Sequence, residues 1–190
     1  MRIVAGSMKG RKLQAPGGRE LRPTSERARE SVFNIIEHGL ADWEGELAGA
    51  SVVDVFCGTG ALALEALSRG ATHATLIDNS PASLAMAKKN AAHLGVWRET
   101  TLIKLDATRL PPPPLAAQAP CAVAFLDAPY EKEMTQPALL GLTRKGWVGP
   151  GGLCVVEVAA NEPLPLAPGF KQLDVRTWGA ARVEFLMVKA

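Results

Sequence analysis

Residues 51–70, SVVDVFCGTGALALEALSRG, constrain the fold more than any other stretch. A β-branched run ends in an acid, turns through two glycines and enters a leucine- and alanine-rich segment with helical spacing that Gly70 stops. A strand passing by a tight turn into a helix that returns across a sheet is the opening unit of a parallel α/β protein. The rest of the chain repeats it. HATLID (73–78) is a second strand, followed by a helix that Ser80 caps, that Pro81 starts and that runs to about residue 94. TTLIKLD (100–106), CAVAFLD (121–127) and GGLCVVEV (151–158) read as further strands, with a helix from about Pro137 before the last. FKQLDVRTW and RVEFLMVK, joined by a short connection, close the chain as an antiparallel hairpin. An α/β sandwich with a mainly parallel sheet is therefore expected. Four prolines at 111–114 fit neither a helix nor a central strand and mark an extended surface loop.

Gly58, Gly60 and Ala63 form a G-x-G-x-x-A turn, which lets a ligand approach the backbone closely. That spacing alone fits NAD, FAD, S-adenosylmethionine or a merely tight turn. Asp54 narrows the choice, because a carboxylate at the mouth of the loop repels a pyrophosphate and attracts the ammonium and sulfonium of S-adenosylmethionine. Asp78 ends the next strand, where an acid accepts bonds from ribose hydroxyls, as it also does in NAD enzymes. Asp106 ends the third, where its side chain suits an adenine amino group while the Ala107 amide donates to the ring. Each acid alone reads as a cap or a turn residue. Together they frame a ligand site at the carboxyl edge of the sheet.

The fourth strand ends in Asp127, Ala128, Pro129 and Tyr130. An exocyclic amine on a nucleobase is a poor nucleophile because its lone pair is conjugated into the ring. A carboxylate and a main-chain carbonyl that accept its two hydrogens localise that pair and aim it. Asp127 and the Ala128 carbonyl suit this work, Pro129 stiffens the turn, and Tyr130 offers a ring on which an extruded base stacks. The polar EKEMTQ segment that follows suits a gate.

Charge is unevenly distributed. Residues 1–29 carry eight Lys or Arg against two Glu, and the remainder 13 against 17, so a basic arm precedes a mildly acidic body. Such an arm suits a polyanion, or is simply a solvated hairpin. RIVAG and RKLQAP around SMKG fit that hairpin, and Thr24 or Ser25 fits the cap of a following helix. On this helix Ala28, Val32, Ile35 and Ile36 make one apolar stripe, with Arg27 and Arg29 off it. The three cysteines and three histidines have no disulfide or metal-ligand spacing, so no metal is expected. No stretch has the length of a signal peptide's apolar region or of a membrane helix, and a cytoplasmic protein is the expectation.

DVFCGTGALALEALSRGA, LID, LDA and DAPY together resemble the class I S-adenosylmethionine-dependent methyltransferases that modify exocyclic amines. With RIVAGSMKGRKLQAP and LRPTSERARESVFNII, the chain resembles, nearly end to end, the RsmD family, which methylates a guanine N2 in bacterial small-subunit (16S) ribosomal RNA. The resemblance implies a Rossmann-like three-layer sandwich with a mostly parallel seven-stranded sheet and a C-terminal antiparallel hairpin. Residues 1–40 would form a basic hairpin and helix extension and residues 41–190 the methyltransferase domain. It also implies S-adenosylmethionine as cofactor and, as partner, ribosomal RNA, expected within a partly assembled small subunit. Asp54, Gly58 and Gly60 would hold the donor, Asp78 with Asn79 its ribose, and Asp106 with Ala107 its adenine; Thr24 and Arg29 would lie over its methionine end. Asp127, Ala128, Pro129 and Tyr130 would be catalytic, and Arg2, Lys9, Arg11 and Lys12 would touch RNA. Ala128 stands where the family has a proline, which leaves the carbonyl in place on a less rigid loop. An adenine-N6 or protein-glutamine methyltransferase, and a noncatalytic RNA-binding or assembly factor, are the rival readings. An NAD-linked dehydrogenase is disfavoured by Asp54 and by the lack of a histidine or tyrosine-lysine pair at the site.

Overall fold

The computed structural model describes residues 1–15, 24–129 and 133–190, with the side chains of Thr24 and Ser25 outside the description. Four α-helices and seven strands are found among these residues: α1 (Thr24–His38), β1 (Ser51–Val55), α2 (Ala61–Ser68), β2 (His73–Asp78), α3 (Pro81–Leu94), β3 (Thr100–Lys104), β4 (Cys121–Asp127), α4 (Thr135–Arg144), β5 (Val148–Ala159), β6 (Phe170–Trp178) and β7 (Ala181–Val188). The strands form one sheet in the order β3-β2-β1-β4-β5-β7-β6. β1 to β5 are parallel, whereas β7 pairs antiparallel with both β5 and β6. This is the fold of class I methyltransferases, as the sequence suggested.

Alternation along the strands divides the core. One face carries Val52, Leu76, Val123, Phe125, Val155 and Phe185 beneath the apolar sides of α1, α2 and α3. The other carries Val53, Ile77, Ala124, Leu126, Cys154 and Val156 beneath α4. On that second face the crossover from β3 to β4 contains no α-helix. The proline run serves instead: Pro114 has φ −71° and ψ 158°, and the buried Trp147 indole donates to the Pro111 carbonyl at 2.7 Å. Helix α4 begins two residues before Pro137, which therefore falls in its first turn, where no amide hydrogen is needed.

The N-terminal hairpin is reduced to a single antiparallel bridge, Arg2 to Lys12, flanked by backbone bonds from Ile3 N–H to Arg11 O and from Leu13 N–H to Met1 O. Ile3, Met8 and Leu13 are buried in the core shared by α1 and α2. The fully buried Glu65 of α2 anchors this arm by accepting from Val4 N–H at 2.9 Å and Ala5 N–H at 3.0 Å. Its charge is met by Arg69 Nε at 2.9 Å and Arg29 Nε at 3.6 Å. The apolar stripe of α1 is accordingly rotated from the sequence expectation. Arg29 is only 5% exposed and sits beside Val32, Phe33 and Ile36, because a buried carboxylate awaits it.

Candidate active site at the carboxyl edge of the sheet

The register sets the geometry. Residues paired across parallel strands project to the same face, and a side chain two positions further along does so again. Asp54 pairs with Leu76 and with Phe125, so Asp54, Asp78 and Asp127 all project from the α1-α2-α3 face at one edge of the sheet.

The glycine loop turns at that edge. Phe56 (φ 69°), Gly58 (φ 52°) and Gly60 (φ 78°) have left-handed backbones, and Cys57 N–H donates to Ile77 O at 3.0 Å, pinning the loop to β2. A Cβ on Gly60 would lie 2.7 Å from Leu76 Cδ2, whereas one on Gly58 would meet nothing nearer than Phe56 O at 4.0 Å. Gly60 is thus fixed by packing, while among the described residues nothing crowds Gly58. Asp54 is 1% exposed and lies beneath the loop rather than at its mouth. Its Oδ2 accepts from Ala63 N–H at 3.2 Å, in the third helical position of α2, the bond that a capping side chain would otherwise make. Burial raises its pKa to about 7, the neighbouring Asp78 charge pushes the same way, and the Ala63 bond opposes both.

Asp78 organises the loop from the next strand, accepting from Gly58 N–H at 3.0 Å through one oxygen and from Ser80 N–H at 2.8 Å through the other. Each oxygen keeps a further lone pair for a ligand. Asn79 beside it is exposed. Asp106 is exposed and takes both its bonds on Oδ1, from Thr108 N–H at 2.9 Å and Thr108 Oγ1 at 2.7 Å. These bonds and Arg109 hold its pKa below the usual carboxylate value. Ala107 is buried behind it. Asp127 and Pro129 are exposed, Ala128 is buried, and Tyr130 lies outside the described residues, as does the side chain of Thr24.

The basic residues divide into two kinds. Arg11 donates to the Leu94 carbonyl at 2.8 Å and also to that of His93, closing the C-terminus of α3. Arg2 pairs with Glu26 at 3.0 Å, and Arg29 is held inward by Glu65 and the Arg2 carbonyl. Lys9 and Lys12 are exposed and make no ion pair among the described residues. The three thiols are buried; burial pushes Cys121 to about 11 and Cys154 to about 12, and Cys57 higher still, which suits packing rather than nucleophilic attack. Among the described residues no cluster fit to hold a metal is found, and no helix is long and apolar enough to cross a membrane.

Sequence reasoning passed over Asn90 and Glu157. Asn90 is fully buried on α3; its amide donates to Thr59 O in the glycine loop and to Gln14 O in the arm, each at 3.0 Å, and its Oδ1 accepts from Gln14 N–H at 2.7 Å. It joins the arm to the loop. Glu157 pairs in register with Asp127. Its sequence signal was the lone acid inside the apolar run LCVVEV.

The chain resembles known methyltransferases throughout its length. The family model "Conserved hypothetical protein 95" matches residues 1–187. Ribosomal RNA small subunit methyltransferase D of Escherichia coli (strain K12) is 34% identical over 88% of this chain and 79% of that protein. Putative rRNA methyltransferase YlbH of Bacillus subtilis (strain 168) is 30% identical over 89% of this chain and 88% of its own length. The solved structure of the putative methyltransferase yhhF from Escherichia coli superposes with a TM-score of 0.82 and 29% identity, covering 100% of this chain and 98% of that one.

Proposed function

The chain belongs to the Conserved hypothetical protein 95, or RsmD, family, and on that premise we propose that it methylates the exocyclic N2 of a guanine in small-subunit (16S) ribosomal RNA. The observation that carries this reading is the convergence of Asp54, Asp78 and Asp127 on one face of one sheet edge, around a glycine loop whose Gly58 has a left-handed backbone.

The residues suit S-adenosylmethionine. A carboxyl buried beneath a helix N-terminus with its pKa near 7 gains from a cationic ligand and would be repelled by a phosphate. The Gly58–Gly60 loop, with the Asp54 charge beneath it, holds the donor's amino-acid end, Asp78 with Asn79 the ribose, and Asp106 with Ala107 the adenine. Bound there, S-adenosylmethionine supplies a methyl group on a sulfonium.

Asp127 and the Ala128 carbonyl accept the two hydrogens of the target amine, which frees its lone pair for attack. The amine nitrogen would take the methyl group that the bound donor supplies, and its extra proton would leave through Asp127 to water. The exposure of Asp127 suits that exit. Pro129 and Tyr130 hold and stack the base, and no cysteine enters the reaction. Residues 1–40 act as the RNA-contacting extension of the 41–190 domain. In it Lys9 and Lys12 are the phosphate contacts, and Arg2 and Arg11 add their charge while shaping the arm. Thr24 and Arg29 lie over the methionine end. A chain of 190 residues has little surface for reading RNA sequence, which favours a partly assembled subunit as substrate.

The test offers naked 16S RNA and assembling small subunits with labelled donor, then maps the product by nucleoside mass spectrometry. N2-methylguanosine is expected, and its loss in Asp127→Ala. N6-methyladenosine would replace the guanine reading, and donor binding without turnover would make the chain an assembly factor.

A further inference from the structure

An acid from the neighbouring strand stands beside the amine-holding group. In the parallel register β4 and β5 pair Asp127 with Glu157, so both side chains project to one face from strands about 4.8 Å apart. On its other side Glu157 pairs with Val183 of β7, which is buried and apolar. Glu157 is half-buried where Asp127 is exposed.

Two neighbouring carboxylates suit one kind of base edge. Guanine presents its N2 amine beside N1–H, two donors side by side. Adenine presents its N6 amine beside an unprotonated N1, a donor next to an acceptor. A base whose amine meets Asp127 can lie with its N1 on the β5 side, beside Glu157. There a carboxylate accepts the guanine N1–H and repels the adenine lone pair. We propose that Glu157 is the specificity-determining residue of the site, accepting the N1 hydrogen of guanine and excluding adenine. The proposal rests on the reading of Asp127 as the group that holds the target amine, and adds a residue that chooses the base. Glu157 takes no part in bond making.

The test uses small-subunit particles reconstituted with either guanine or adenine at the mapped target nucleotide, the full-length chain and tritiated S-adenosylmethionine. Glu157→Gln keeps the shape but offers an amide that both donates and accepts, and Glu157→Ala removes the group. Wild type should favour guanine over adenine by roughly 10- to 100-fold, the worth of one well-placed base contact. In Glu157→Gln this ratio should fall at least tenfold, with a raised KM for the guanine particle and donor affinity within twofold of wild type. Wild-type ratios in both variants, with donor affinity intact, overturn the proposal. So does a variant whose only defect is lost donor binding, which would make Glu157 part of the cofactor site. If wild type itself makes no N2-methylguanosine, the underlying functional reading fails, and this proposal with it.

Discussion

Asp54 offers a direct way to separate stability from function. Its carboxyl has a pKa of about 7 in the folded, ligand-free chain against a reference value of 3.8, so the folded state binds this proton more tightly than the unfolded state does. Below about pH 4 both states hold the proton and nothing is lost. Between about pH 4 and pH 7 the unfolded chain ionises freely while the folded chain resists, and stability falls. The gap of about three pH units, at about 1.4 kcal/mol each, amounts to about 4 kcal/mol of stability that is gone above pH 7. Asp54→Asn cannot ionise, and its side-chain oxygen can still accept from Ala63 N–H. Any cost of burying the amide is the same at every pH, so the difference in unfolding free energy between variant and wild type isolates the charge. Urea unfolding without ligand should show that difference shifting by about 4 kcal/mol in favour of Asn as pH rises from 4 to 8. The same variant should bind S-adenosylmethionine at least tenfold more weakly at pH 8. A difference that does not change with pH would refute the reasoning.

The remaining predictions concern other parts of the same architecture. At pH 6 S-adenosylmethionine binding should release close to one proton as Asp54 ionises against the ligand, and with Asp54→Asn none, measured by calorimetry in buffers of different ionisation enthalpy. Glu65→Ala strands the buried Arg29, leaves Arg69 with its Glu37 pair alone and leaves two arm amides without their acceptor; it should cost roughly 3–5 kcal/mol in urea unfolding, where a loss under 1 kcal/mol would deny Glu65 its anchoring role. Asn90→Ala should weaken donor binding as well as stability, because the same side chain holds Thr59 in the glycine loop; unchanged donor affinity by titration would disconnect arm and loop. Reversing Lys9 and Lys12 to Glu should leave the melting temperature within about 2 °C while weakening RNA binding, with a slope against log salt lower by about 1 for each phosphate contact removed.

Much of this molecule could be read in advance because the signals were local and periodic. The acids at strand ends and the glycine spacing follow from the strand-turn-helix unit alone. Nothing local reveals which oxygen of Asp78 ties down Gly58, or that Asp54 lies under its loop. Arg29 was placed off the apolar stripe of α1 because of its charge, while its partner, Glu65, lies on another helix. The cap that Arg11 makes was not legible because the carbonyls it closes belong to α3, far along the chain. Glu157 needed the pairing register of β4 and β5, which no single strand contains. In each case the missing information was a long-range partner that supplies a buried charge or a polar group with its counterpart.

The central claim, that the Asp127 edge aims a guanine amine, is tested most directly by nucleoside mass spectrometry of RNA from assembling small subunits treated with wild type or Asp127→Ala, both shown to bind S-adenosylmethionine. The account predicts N2-methylguanosine at one nucleotide with wild type and at least a hundredfold less with the variant, the scale expected when a group that orients and stabilises the reacting centre is removed. Equal product from both proteins, or a methyl group on any other atom, would contradict it.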